Sequence, residues 1–296
     1  MGLEEFFGGA VRLGLLSLQV LAAVWVYQDA RWWSRRAWWW GLLVAAGGPV
    51  AFPAYVLLFR PAAREWGLAE VLAVAAFGLL VVPLAASLLV GPWAGLAFVA
   101  TAVLGQSAAL LGGCWQVLRR SGQTWAAVGL SGTGVARQGA LGVVLAAPVV
   151  AAVHYGVQPA AVYLLGLVVG HERARMLAEL EQWSNPLMQA MPPLRDWPAV
   201  LLFAALVCGV VPLAEEVFFR GLVYRAARRR LQPWQAAGLV AVAFAAVHLQ
   251  VVNFLPIAVL GWAFAWAAER TGSLVPSVAM HAANNLVALV VAYAQR

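Results

Sequence analysis

The chain contains repeated stretches of about twenty apolar residues in which charges are rare or missing, and nothing else in it restricts the possible folds so severely. An α-helix needs roughly 20 apolar residues to cross the hydrocarbon core of a bilayer, and every backbone polar group inside that core must be satisfied within the segment. Windows of this kind predict helices near residues 9–27, 38–59, 69–90, 93–118, 139–169, 199–224, 235–250, 254–268 and 274–294. An all-α, polytopic transmembrane bundle of about eight helices is therefore expected in the cell membrane. With 64% hydrophobic and 10% charged residues, the composition leaves no room for a soluble reading. Two runs are irregular: 139–169 is interrupted at His154, Gly156 and Pro159, and 235–250 and 254–268 are short for full spans.

Polar residues punctuate this pattern in informative places. Trp32, Trp33, Trp38, Trp39 and Trp40 crowd beside arginines, as expected of an interfacial aromatic belt. The net charge of +7 comes from arginines in short connections, which read as topology and headgroup contacts rather than a nucleic-acid stripe. Arg225, Arg228, Arg229 and Arg230 form the strongest basic cluster, which the positive-inside tendency places in the cytoplasm, but the loop with Arg31, Arg35 and Arg36 then falls outside, so the orientation stays open. Cys114 and Cys208 lie in apolar runs and read as core residues. The apolar run from about residue 9 lacks the flanks of a cleaved signal and is expected to persist as a helix. A polar stretch over 171–198, a surface helix followed by a proline-rich turn, divides N-terminal helices (1–170) from a C-terminal transmembrane core (199–296).

Within that core, ionisable groups occupy membrane-depth positions, where each charge costs about 2.5–3.5 kcal/mol on insertion scales. In LAEEVFFRGL, Glu216 precedes Arg220 by four residues and pairs with it on one helix face. Glu215 is rotated by about 100° and has no partner in its own helix, which leaves it available as a general base. The bland alternative makes both glutamates structural. Phe244 and His248 are spaced four apart on the next apolar run, where a packing histidine is the competing reading. His281 and Asn285, in HAANN, share a face and could direct two hydrogen bonds at one point, as an oxyanion hole requires, whereas Asn284 is expected to point elsewhere.

The order EExxxR, FxxxH, HxxxN on successive helices resembles the CPBP family, named for CAAX proteases and bacteriocin-processing enzymes, whose members include Abi and type II CAAX prenyl endopeptidase-like intramembrane proteases. The resemblance covers roughly residues 195–294, and all three motifs match. It implies a C-terminal four-helix catalytic core in which Glu215 and His248 activate water while His281 and Asn285 stabilise the oxyanion, with Glu216, Arg220 and Phe244 in support. The expected activity is endoproteolysis of membrane-associated peptides or proteins. The implied partners are the bilayer and a peptide or protein substrate, with no nucleic acid. No cofactor is required in this mechanism. If zinc were used, Glu215, His248 and His281 would be its ligands, a His₂Glu set with an open position; HExxH is absent, since His171-Glu172 is followed by Arg175. A non-catalytic membrane scaffold and, further off, a transporter are the rival classes.

Overall fold

The structure is a computed structural model, described over residues 3–62, 65–90, 95–132 and 134–295. It contains ten principal helices and no strand among the described residues. In chain order they are α1 (Leu3–Ala30), α2 (Ala37–Phe59), α3 (Leu68–Leu89), α4 (Leu96–Arg120), α5 (Val135–Val169), α6 (His171–Ser184), α7 (Trp197–Arg228), α8 (Pro233–Val247), α9 (Phe254–Thr271) and α10 (Val275–Ala294). Among the described residues, α2, α3, α4, α5, α7 and α10 are long and apolar enough to cross a membrane, so this is a multi-pass membrane protein. The amphipathic α6 lies where the polar stretch was expected, followed by a one-turn helix Pro186–Gln189.

Helix α7 organises the rest. Asp196 caps its start by accepting from the Ala199 N–H at 3.3 Å, and Pro198 sits in its first turn, where a missing N–H costs nothing. Two wide π turns interrupt it, at Leu206–Val210 and Val217–Val223. The first has a chemical cause. In this register the Val211 N–H bonds to the Leu206 carbonyl, and the Val207 carbonyl would next seek residue 212, which is a proline and has no N–H. Leu222, in the second π turn, offers its carbonyl to the indole N–H of Trp66 at 3.1 Å, a buried bond that ties the N-terminal helices to α7.

Close helix approach depends on glycine at two places. A Cβ on Gly142 of α5 would lie 2.5 Å from the Pro276 carbonyl oxygen, so only glycine lets α5 and α10 pack at this distance. A Cβ on Gly261 of α9 would lie 3.2 Å from the Ala241 Cα and 3.3 Å from Arg220 Nη2, so this glycine brings α8 and α9 together and leaves room for the arginine. Among the N-terminal helices, Arg60 bridges Asp29 at 3.0 Å and Glu70 at 2.5 Å. Arg120 donates to the Leu57 carbonyl at 2.8 Å and to that of Arg60.

Two expectations need correction. Helix α8 stops at Val247, so His248 caps the helix instead of lying within it, and the chain turns sharply at Leu249 (φ 55°), a left-handed conformation unfavourable for leucine. The α5 run is continuous: its interruption at His154 is a π turn, Val153–Val157, not a break.

The turn after His248 is held from outside the C-terminal helices. Glu181 of α6 accepts from the backbone N–H groups of Val251 (2.5 Å), Val252 (2.9 Å) and Asn253 (3.3 Å), bracing the turn that leads into α9. Glu181→Ala is expected to cost about 1.5–3 kcal/mol, the usual worth of hydrogen bonds to a charged group. Thermal denaturation in detergent would measure the loss, and amide exchange should accelerate first at residues 251–253; unchanged protection there would refute the bracing role.

Candidate active site

A cavity of about 510 Å³ lies between the helices, and three of the chain's four histidines line it: His154, His248 and His281. Glu215 is the one carboxylate among its lining residues, accompanied by Asn284 and Asn285. Glu216 is excluded from the cavity and completely buried behind it.

Behind the wall, the Glu216–Arg220 pair expected from the sequence forms at 2.7 Å with both side chains fully buried. The second guanidinium arm donates to the Gly261 carbonyl at 2.9 Å, and the cation lies over the rings of Phe244 (4.5 Å), Phe264 (5.3 Å) and Phe219 (5.9 Å). Glu216 Oε1 also accepts from His281 Nδ1 at 3.0 Å. The imidazole is clamped between a stacked Phe264, at 5.2 Å and 22°, and an edge-on Phe244, at 5.8 Å and 89°. One carboxylate oxygen therefore anchors both the arginine and the histidine.

These bonds decide the tautomers. A carboxylate or carbonyl oxygen can only accept, so Nδ1 of His281 carries the proton and Nε2 faces Glu215 Oε2 at 3.9 Å. Glu215, without a partner in its own helix, thus meets a group of another helix. Its Oε2 is buried with no hydrogen-bond partner, a lone pair that a water entering the cavity would satisfy. His248 Nδ1 donates to the Phe244 carbonyl at 2.7 Å, which leaves Nε2 as a proton acceptor. The Phe244 ring lies against the His248 ring at 4.7 Å and so wedges the two imidazoles.

The HAANN pair behaves differently from the expectation. Asn285 donates to the Val207 carbonyl at 2.9 Å, the group that Pro212 leaves without a helical partner. One of its two amide N–H groups is therefore committed to the backbone, and one remains. Its Oδ1 accepts from Asn284 Nδ2 at 3.3 Å. Asn284 does not point elsewhere; it lines the same cavity, and its own Oδ1 is buried without a partner. Neighbouring side chains diverge on a helix, but a cavity broader than one helix face reaches both.

The cavity is also not enclosed by the four C-terminal helices alone. Val103, Gln106 and Ser107 of α4, His154 and Gln158 of α5, and Met188 and Met191 of the connector complete it. His154 Nε2 is buried without a hydrogen-bond partner, and Gln158, one turn on, lies 3.5 Å from Asn253 Oδ1. None of these belongs to the three motifs. The available signal was the polar interruption at His154 and the pair Gln106-Ser107 inside an otherwise apolar helix.

For zinc, the fit is poor. Among the described residues no three His, Cys, Asp or Glu side chains converge closely enough to hold an ion. Glu215 and His281 approach each other, but His281 is already anchored through Nδ1.

Fold and site together define a helical membrane protein with a carboxylate and imidazoles facing a cavity among its helices. Residues 197–287 match the family model described as type II CAAX prenyl endopeptidase Rce1-like, and this match supports assigning the segment that carries the site to the CPBP/CAAX protease family. No curated protein and no solved structure gives a significant match.

Removing one partner of a buried ion pair costs about 3–5 kcal/mol, because the other charge is left uncompensated. Glu216→Gln is therefore expected to lower the melting temperature sharply. Adding Arg220→Met to it should recover part of the loss, because the uncompensated guanidinium is removed while the Gln oxygen can still accept from His281 Nδ1. A Glu216→Gln variant as stable as the wild type would contradict the anchoring role.

Proposed function

We propose that the protein is an intramembrane endopeptidase that hydrolyses peptide bonds of membrane-associated peptides or proteins, with Glu215 as general base. The observation that carries this reading is the isolation of Glu215: the cavity's one carboxylate, with an unpartnered buried oxygen, next to His281 and sharing the space with His248. Water held by Glu215 and His248 Nε2 gives a proton to Glu215 as its oxygen bonds to the scissile carbonyl carbon. The carbonyl π electrons move to oxygen, and the tetrahedral species forms. The proton then passes from Glu215 to the amide nitrogen, the C–N bond breaks, and the amine leaves. A hydrolytic water needs no redox partner and no covalent enzyme intermediate.

The oxyanion requires donors at the same point. The remaining N–H of Asn285 is one. His281 Nε2 is a second only when the ring carries both protons, since Nδ1–H is committed to Glu216. The apolar and polar wall from α4, α5 and the connector would then select the chain that enters.

Glu215→Gln should abolish cleavage without loss of fold, because the amide keeps the shape and cannot accept the proton. The test is mass spectrometry of membrane peptides incubated with both proteins in detergent. Turnover near wild type in Glu215→Gln would end the assignment, and binding without cleavage by the wild type across a broad panel would favour a scaffold.

Asn285→Ala should lower kcat by about a hundred- to a thousandfold, the usual cost of one preorganised oxyanion donor. It should also lower the melting temperature, because the Val207 carbonyl loses its partner. Asn285→Asp retains the side-chain volume but no N–H donor in its ionised form, so it should share the kinetic defect. Single-turnover rates alongside peptide affinity separate the two effects; a variant that cleaves normally but binds poorly moves Asn285 to substrate recognition.

Exhaustive chelation is expected to leave cleavage unchanged. Activity lost to chelator and restored by stoichiometric zinc would instead require a metal centre built from Glu215, His248 and His281.

A further inference from the structure

A second cavity, of about 440 Å³, lies on the far side of Arg220 and is lined by Trp66, Gln123, Tyr224, Arg225, Arg228 and Arg229, among others. It sits at the last two turns of α7. That helix spans 32 residues, more than the roughly 20 needed to cross the hydrocarbon, so its end emerges at headgroup depth. Trp66 in the wall and Trp234 beyond it, 68% exposed, mark the same level.

The cations lining this cleft are unequally compensated. Arg220 is neutralised by Glu216, Arg228 pairs with Glu269 at 3.1 Å, and Arg229 pairs with Glu65 at 3.5 Å while stacking over Trp66 at 4.8 Å. Arg225 has no ion pair among the described residues, and its Nε is buried with no hydrogen-bond partner. Its guanidinium is laid against the backbone of Gly129 (φ 86°), where an added Cβ would lie 2.8 Å from Nη2. Gly129 is itself pinned, because its carbonyl accepts from the Leu274 N–H at 2.9 Å. A guanidinium resting on a pinned turn, one charge in excess, and a donor left unsatisfied on a side chain that lines a polar cleft are the elements of an oxyanion-group receptor.

We propose that this cleft binds a phosphate group, supplied at this depth by the headgroup of an anionic phospholipid, with Arg225 as its principal ligand. Phosphate oxygens match the Nε–Nη edge of arginine in a bidentate contact, and basic clefts between membrane helices are suited to such headgroups. The inference is independent of the peptidase reading, since Arg225 does not line the catalytic cavity.

Native mass spectrometry of the full-length protein in detergent, with added phosphatidylglycerol, phosphatidylcholine or inorganic phosphate, tests it. Phosphatidylglycerol should bind the wild type, and Arg225→Gln should weaken that binding by about ten- to a hundredfold, the worth of a charge-assisted hydrogen bond. Arg230→Gln, at an exposed residue outside the cleft, should bind as the wild type does. Arg225→Lys, which keeps the charge without the fork, should fall between and serves if Arg225→Gln does not fold. Inorganic phosphate binding with the same dependence on Arg225, in the absence of lipid binding, would overturn the lipid source. Equal affinity for phosphatidylcholine, or equal binding by wild type and both Arg225 variants, would overturn the site.

Discussion

Glu216 Oε1 accepts from Arg220 at 2.7 Å and from His281 at 3.0 Å, in a place from which water is excluded, and the remaining geometry follows from that shared oxygen. A lone charge there would be prohibitive, and the pair alone would be at best neutral compared with apolar side chains of equal size. What the charges supply is orientation. The guanidinium reaches across to the Gly261 carbonyl and joins α7 to α9, while the carboxylate holds the imidazole of α10. Three helices are thereby registered against one another by directional bonds, where packing of lipid-like side chains alone would tolerate sliding. Phe219, Phe244 and Phe264 close the arginine's surroundings, and two of them also clamp His281.

Asn285 illustrates how one side chain serves fold and site together. Its bond to the Val207 carbonyl answers a defect that Pro212 introduces into α7, and the same bond fixes the amide at the cavity wall. The proline, the π turn and the asparagine form one unit spread over two helices. A membrane interior makes such coupling necessary, because no solvent is present to satisfy a freed carbonyl.

The spans were legible in the sequence because hydropathy over twenty residues is a local property, and the Glu216–Arg220 pair was legible because four-residue spacing dictates it. The grouping of Glu215, His248, His281 and Asn285 around one cavity could be anticipated from motif order through the family resemblance, not from spacing. Other features were non-local and stayed hidden. Nothing near Glu181 in the chain announces that it braces a turn seventy residues later, and His154 and Gln106 stand out in the sequence only as polar residues in apolar runs, with nothing to say that they face Glu215's cavity. The end of α8 at Val247 escaped notice because the apolar run continues past it through Val251 and Val252, while the turn depends on a left-handed Leu249 held by a distant carboxylate. Spacing on one helix face sets Asn284 apart from Asn285, but the cavity spans more than one face and takes in both.

The family match ends at residue 287 and begins at 197, whereas a large part of the cavity wall is contributed by α4, α5 and the connector. The groups proposed to cut and the surfaces proposed to select are thus carried by different stretches of chain. A change in α4 or α5 can reshape what is admitted without disturbing Glu216, Arg220 or the histidine they hold. In evolutionary terms, the two halves would then answer to different demands: the C-terminal helices are held to a shared oxygen atom, and the N-terminal ones to the Arg60 bridge, the Trp66 bond and the wall they present to the cavity.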